Sequence, residues 1–152
     1  MPKTIQCISP IDGSIYVERD ALSPEAAKAS VEAAAATQPH WERLPLERRI
    51  SLVLAGVKFL GEMNTEVTTE LAWQMGRPVR YGGEFSGVHE RAGYMASIAA
   101  AALAPIEIEN SEAFIRRIER KPLGVVLVVA PWNYPYLTAI NTIVPALIAG
   151  NA

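Results

Sequence analysis

The chain has 152 residues, a net charge of −2 and a composition that is 50% hydrophobic, which is enough for about one domain with a core. The small negative charge, with a sequence pI near 5.7, gives no broad attraction to nucleic acid or to an anionic membrane. Since no apolar run approaches the roughly 20 residues of a membrane span and residues 1–6 lack the apolar stretch of a signal peptide, we expect a soluble cytoplasmic protein.

Residues 1–20 are predicted to form a β-hairpin. Two short extended runs, 5–8 and 14–17, are joined by a segment with Asp-Gly and a nearby proline, which indicates a turn. The single cysteine, Cys7, excludes an internal disulfide and a multi-cysteine zinc site, and the two histidines lack metal-ligand spacing. We therefore expect no metal, and we expect Cys7 to pack as a small hydrophobic residue rather than to act as a nucleophile.

Residues 23–104 are predicted to be helical. Ser23-Pro24-Glu25 supplies an N-cap, a first-turn proline and an acidic residue, which together open a helix. We expect this helix to end near Gln38, because Pro39 follows it.

Three further helices are predicted over residues 45–60, 65–75 and 82–103, where apolar residues recur at spacings of three and four. The alanine-rich stripe of the last helix suits packing within the molecule, which we favour, or a coiled coil. Four glutamates on these helices are interpreted as solvated rather than catalytic, namely Glu66, Glu70, Glu84 and Glu90.

Residues 113–121 mix Phe114, Ile115 and Ile118 with arginines, a lysine and a glutamate. A charge density of this kind is typical of an exposed or edge strand. We favour that interpretation over a nucleic-acid-binding patch.

Residues 122–152 carry the clearest chemical signal. Residues 125–130 are apolar and mostly β-branched, without polar alternation, which predicts a strand covered on both faces within a parallel sheet. Helical residues resume at 136–149, and Gly150 follows at the C-cap position. In this strand–loop–helix order, the loop 131–135 lies where open α/β sheets bind ligands. Asn133 is the only amide side chain of that loop, and it offers two donors and an acceptor.

The sequence Pro131-Trp132-Asn133-Tyr134-Pro135, followed by Pro-Ala-Leu-Ile-Ala-Gly-Asn at 145–151, closely resembles the aldehyde dehydrogenase superfamily. Weaker landmarks at 10–13, 41–49 and 71–78 extend the resemblance over essentially all 152 residues. The implied fold is α/β and is the amino-terminal portion of a longer, here incomplete, aldehyde dehydrogenase fold. It would comprise a helical part, oligomerisation-type β-hairpin segments that include residues 113–121, and the first strand–loop–helix of a Rossmann-like parallel sheet.

The resemblance also implies oxidation of an aldehyde to a carboxylic acid with NAD or NADP. In such enzymes a cysteine thiolate attacks the aldehyde, a hydride passes to the nicotinamide, and a glutamate activates water. Asn133 would hold the substrate oxygen as it becomes negative, a preorganised contact typically worth about 3 kcal/mol, and the bulk of Trp132 would hold the loop. Homodimers or homotetramers are implied as well. The implied cofactor-cleft residues are Val129, Ala130, Pro131 and Trp132, and the implied aldehyde-tunnel residues are Tyr134 and Leu137.

Alternatives stay open for the role of Asn133 and for the activity of the chain. An asparagine between prolines is also typical of a turn whose side chain binds the local backbone. The family's nucleophilic cysteine, its catalytic glutamate and its ribose-binding lysine have no match here, and Gly82-Gly83 does not follow a predicted strand. We therefore expect this chain alone to be inactive, with the activity belonging to the complete protein. The alternatives to aldehyde oxidation are a non-catalytic truncated remnant or association module, and a reductase of acyl phosphates or acyl-CoA on the same fold.

Overall fold

The computed structural model describes residues 4–152, so the first three residues of the predicted hairpin segment lie outside the described part. The fold is α/β, with helices and two separate two-stranded antiparallel sheets. In chain order the elements are β1 (Thr4–Ile8), β2 (Ile15–Asp20), α1 (Pro24–Glu42), α2 (Leu46–Glu62), α3 (Asn64–Met75), a 3-10 turn (Val79–Tyr81), α4 (Phe85–Leu103), β3 (Ile106–Asn110), β4 (Ile115–Ile118) and α5 (Pro135–Ile148).

The predicted amino-terminal hairpin is confirmed, because β1 pairs with β2 in antiparallel register. The hairpin packs on α3, where the Tyr16 ring stacks on Trp73 with centroids 5.7 Å apart. The Tyr16 hydroxyl also donates to Glu70 Oε1 at 3.0 Å, and this bond is the main reason that the pKa of Tyr16 is raised. Cys7 is half-buried against the same helix, with Sγ 3.8 Å from the carbonyl oxygen of Gln74.

The start of α1 follows the prediction, and its end does not. The Ser23 hydroxyl oxygen accepts from the Ala26 N–H at 3.1 Å, as expected of an N-cap. The helix then continues through Pro39 to Glu42. Its last turn is stabilised from outside, because Trp41 Nε1 donates to the Leu147 carbonyl at 2.7 Å. This tertiary contact offsets the hydrogen bond that a proline removes from a helix.

The next three predicted helices are confirmed, with one change of boundary. α3 ends at Gly76, whose φ of 77° gives the left-handed C-cap. α4 begins at Phe85, three residues later than expected, since the 3-10 turn precedes it and Gly82 takes a φ of 66°. Gly82-Gly83 indeed does not follow a strand.

The core lies where α4 and α5 pack against each other and against α2. The face of α4 that carries Ala92, Ala96 and Ala99 lines this interior, which confirms that this part of the stripe packs within the molecule. The Phe85 ring lies directly over Gly61 of α2, where a Cβ atom would come within 2.1 Å of it. The buried core residues are Val53, Val57, Val88, Ala92, Ala99, Ile140, Val144 and Ile148.

The second hairpin joins α4 to the last part of the chain. β4 pairs with β3 in antiparallel register, and every residue of β4 is exposed, as the charged pattern predicts. The sequence did not indicate β3. Arg116 and Glu109 form an ion pair across the two strands.

Candidate active-site loop

The segment 122–130 is extended, but it is not the buried strand that the sequence predicts. Within the described residues it has one backbone partner, Ala152. The Val126 N–H donates to the Ala152 carbonyl at 2.8 Å, and the Ala152 N–H donates to the Gly124 carbonyl at 2.9 Å. Leu127 and Val129 are 86% and 84% exposed. The predicted burial on both faces is not shown in residues 4–152, because these residues supply neither a second sheet neighbour nor cover for these side chains.

Asn151 fixes the beginning of this segment. Its Oδ1 accepts from the Leu123 N–H at 2.6 Å and from the Gly124 N–H at 3.0 Å. Its Nδ2 donates to the Ala146 carbonyl at 2.9 Å, and the residue is 5% exposed. The residue Asn151, just after α5, therefore holds the start of the segment that leads to the loop.

The loop 131–135 leads directly into α5. Pro135 is the first helical residue, and the Thr138 N–H donates to the Tyr134 carbonyl at 3.0 Å. Asn133 is exposed, and within residues 4–152 its side chain makes no hydrogen bond. The turn-forming alternative for Asn133 requires such a bond to the local backbone, so the structure favours an available amide.

Trp132 does not brace the loop. It is 77% exposed, so the expected packing role of its ring is wrong for this structure. The other three residues implied in cofactor binding, Val129, Ala130 and Pro131, are also exposed. Together with Trp132, these three residues form one continuous accessible stretch immediately before Asn133.

An ion pair from outside the loop holds the loop in place of Trp132. Arg77 Nη1 lies 2.8 Å from Glu84 Oε1. Arg77 Nη2 donates to the main-chain carbonyl of Asn133, and its guanidinium covers the Tyr134 ring at 4.6 Å from the centroid. The second Glu84 oxygen accepts from the Leu137 N–H at 2.6 Å.

The prediction that Glu84 is solvated is therefore wrong. Glu84 is 6% exposed, and both of its carboxylate oxygens are bonded. Glu66 and Glu90 are exposed, as expected. Glu70 is also exposed, although it accepts hydrogen bonds from Tyr16 and Gln74.

The two implied tunnel residues lie at the same end of α5 in different surroundings. Tyr134 is 50% exposed beneath Arg77. Leu137 is half-buried against α4, where a Cβ on Gly87 would come within 2.9 Å of Leu137 Cδ1. Tyr136 lies between these two residues in the sequence. Its pKa is raised mainly by burial and further by the carboxylates of Glu70 and Glu84.

Sequence reasoning missed three residues that determine the loop geometry, namely Arg77, Glu84 and Asn151. Arg77 and Asn151 lie inside the stretches that carry the family resemblance, but local patterns assign them no partner. Glu84 follows Gly82-Gly83 immediately before a helix, a position that gave no indication of burial. In the part of the chain that the structure describes, no group of acidic, histidine and cysteine side chains could hold a metal ion. No helix in residues 4–152 has the length and apolarity to cross a membrane.

Comparison with protein families matches the chain to the aldehyde dehydrogenase family over residues 1–152. The chain therefore belongs to the aldehyde dehydrogenase family, as its loop and closing helix indicate.

Individual relatives share about the same segment. The chain is 30% identical over 150 residues to benzaldehyde dehydrogenase [NAD(+)] of Pseudomonas putida, covering 95% of this chain and 30% of that protein. It is 28% identical over 158 residues to NADP-dependent glyceraldehyde-3-phosphate dehydrogenase of Triticum aestivum, covering 99% of this chain and 32% of that protein. This chain thus spans about a third of the length of the relatives it matches.

A solved structure shows the same arrangement. NADP-dependent glyceraldehyde-3-phosphate dehydrogenase from Bacillus halodurans C-125, complexed with NADP, superposes with a TM-score of 0.87 at 28% identity. The superposition covers 99% of this chain and 33% of that structure.

Proposed function

We propose that this chain supplies the oxyanion-binding loop of an NAD(P)-dependent aldehyde dehydrogenase, which oxidises an aldehyde to a carboxylic acid in the complete protein. The observation that carries the proposal is the state of Asn133. Its main chain is held by Arg77, while its side-chain amide is exposed and unused by residues 4–152. A donor fixed before the reaction can stabilise a developing negative charge without reorganising.

The exposed stretch 129–132 fits one side of a cofactor cleft, because it offers accessible apolar surface beside Asn133. NAD or NADP would supply the hydride acceptor. The described residues contain no glycine-rich turn between a strand and a helix that would bind its phosphates. That part of the cofactor site is therefore assigned to the remainder of the protein, and the relatives named for NAD and NADP support either form.

We infer that the two hydrogen bonds to Ala152 are the start of a parallel strand pair. One residue bonding through its N–H and its carbonyl to residues two apart on a neighbour is the pattern of parallel strands. Further strands of a Rossmann-like sheet would then cover Leu127 and Val129.

The β3–β4 hairpin supports a second candidate role in association. Ile108, Phe114 and Ile115 are 62%, 62% and 69% exposed, and pairing with another copy would cover them. A homodimer or homotetramer of the complete enzyme accounts for this surface, as does an association module without catalysis.

A chimaera separates these roles. Residues 1–152 replace the matching segment of the Pseudomonas putida benzaldehyde dehydrogenase, and NADH formation from benzaldehyde is measured. We expect activity that Asn133→Ala lowers about 100- to 1000-fold in kcat, with Asn110→Ala, an exposed asparagine of β3, as the matched control. We expect no NADH from the 152-residue chain alone.

A folded chimaera whose activity is unchanged by Asn133→Ala would overturn the proposed role. Turnover by the 152-residue chain alone would overturn it as well. If the full replacement is insoluble, the exchange of residues 122–152 alone tests the same loop. An inactive but correctly assembled chimaera supports the association module.

A further inference from the structure

We propose that Arg77 and Glu84, which lie between α3 and α4, are positioning residues that fix the Asn133 loop. The proposal rests on the proposed role of Asn133 and deepens it, by naming the groups that hold the oxyanion donor in place. Neither residue contacts the reacting atoms. Both act through the main chain of residues 133–137.

Arg77 is restricted in backbone and in side chain. It lies between Gly76, which holds a left-handed conformation, and Pro78, which limits the backbone of the residue before it. Its side chain is 11% exposed. The planar guanidinium serves Glu84, the Asn133 carbonyl and the Tyr134 ring together, which a lysine ammonium could not reproduce.

Glu84 caps α5 from a distant part of the chain. The first N–H groups of a helix have no partner within the helix, and Tyr134 at the N-cap position makes no side-chain capping bond. Glu84 Oε2 accepts from the Leu137 N–H in the first turn. A carboxylate is also favourable near the positive end of the helix dipole. Glu84 therefore supplies both the missing acceptor and a complementary charge.

Arg77 holds the loop at its central residue, and Glu84 holds the first turn of the helix that follows. Arg77 binds the carbonyl of Asn133, and Glu84 binds the N–H four residues further on. Because the Glu84 side chain is 2% exposed, loss of either partner leaves a buried charge uncompensated. The main chain of Asn133 is thus fixed, while its side-chain amide stays available.

The first test uses the 152-residue chain and amide hydrogen exchange followed by NMR. We expect Glu84→Ala to speed exchange at Leu137 roughly 10- to 100-fold, because a bond to a charged group is lost. Glu84→Gln, which keeps an acceptor oxygen, is expected to restore part of this protection. We expect Arg77→Met to increase the mobility of the Asn133 main-chain amide, measured by its nitrogen relaxation, and Arg77→Lys to reverse this increase only in part.

The matched controls are Arg80→Met and Glu90→Gln. Arg80 is an exposed arginine that, like Arg77, lies between α3 and α4, and its guanidinium covers Tyr81 instead. Glu90 is exposed on α4. The Val144 amide, at a fully buried position of α5, is the internal reference. Faster exchange by the same factor at Leu137 and Val144 would report general destabilisation and would overturn the proposal.

The second test is a double-mutant cycle in the active chimaera. We expect Arg77→Met to lower kcat about 10- to 100-fold with little change in KM for the aldehyde, since misplacement of a catalytic group has effects of this size. In an Asn133→Ala background we expect no further loss. If Asn133→Ala slows the enzyme and Arg77→Met does not, the positioning role is wrong. If the NMR changes occur but neither variant changes kcat, the positioning stands and the oxyanion role of Asn133 fails.

Discussion

The indole nitrogen of Trp41 donates to the main-chain oxygen of Leu147 at 2.7 Å, and this bond ties the last turn of α1 to the end of α5. We expect Trp41→Phe to reduce the free energy of unfolding by about 1 kcal/mol, because the carbonyl loses a net favourable hydrogen bond. Urea denaturation measures the loss. Trp132→Phe, at a residue that is 77% exposed, is the matched control. Equal effects of the two substitutions would contradict the importance of this bond.

Removal of the Glu84 carboxylate is expected to cost more. Glu84→Ala leaves Arg77 unpaired and largely buried, and the loss of one partner of a buried ion pair typically costs about 3–5 kcal/mol. Glu32→Ala breaks the exposed Lys28–Glu32 pair and is expected to change stability by less than about 0.5 kcal/mol. Thermal unfolding followed by circular dichroism compares the two variants. A Glu84→Ala variant as stable as Glu32→Ala would show that the pair is weak.

Two glycines of α2 are expected to respond in opposite directions to the same substitution. Gly61→Ala forces its new Cβ into the Phe85 ring, and overpacking of this kind costs about 1–3 kcal/mol. Gly56→Ala meets no atom within 4 Å, so it should stabilise the helix by up to about 1 kcal/mol. Denaturation midpoints of the two variants test the close approach of α4 to α2. A stabilising Gly61→Ala would contradict it.

The contact between the first hairpin and α3 is expected to weaken in alkali. The pKa of Tyr16 is raised in the folded chain, chiefly by its bond to Glu70, so the protonated hydroxyl is favoured by folding. The resulting stabilisation of the folded state is complete below the unfolded-state pKa of Tyr16, near 10. It is lost as the pH rises through the higher folded-state pKa. The Trp73 indole NMR signal, followed against pH, should report the loss. In Tyr16→Phe the same transition should be absent, and its persistence would implicate another group.

Local chemistry was sufficient to predict much of the fold. Ser23 and Gly76 mark their helix ends because capping depends on the residue itself and on bonds within one turn. The continuation of α1 past Pro39 could not be predicted in this way. It depends on Trp41 meeting Leu147, and no pattern within α1 encodes that contact.

The candidate site likewise combines features that local sequence predicts with features that depend on distant contacts. Asn133 could be singled out from its short loop and its flanking prolines. Glu84 could not, because its burial depends on the Leu137 N–H, which lies 53 residues away in sequence. Residues 125–130 were recognisable as apolar and extended, but burial requires covering elements that the composition of one segment does not report.

Three side chains in residues 38–49 donate to carbonyls at the end of α5. Gln38, Trp41 and Arg49 reach Gly150, Leu147 and Ile148 across separations of 112, 106 and 99 residues. Closing loops of this length delays contact formation during folding. During synthesis, α1 and α2 therefore leave the ribosome well before their partners exist. The hydrogen bonds of these three side chains must wait for α5, which makes them a late folding step that a chain interrupted before residue 147 could not complete.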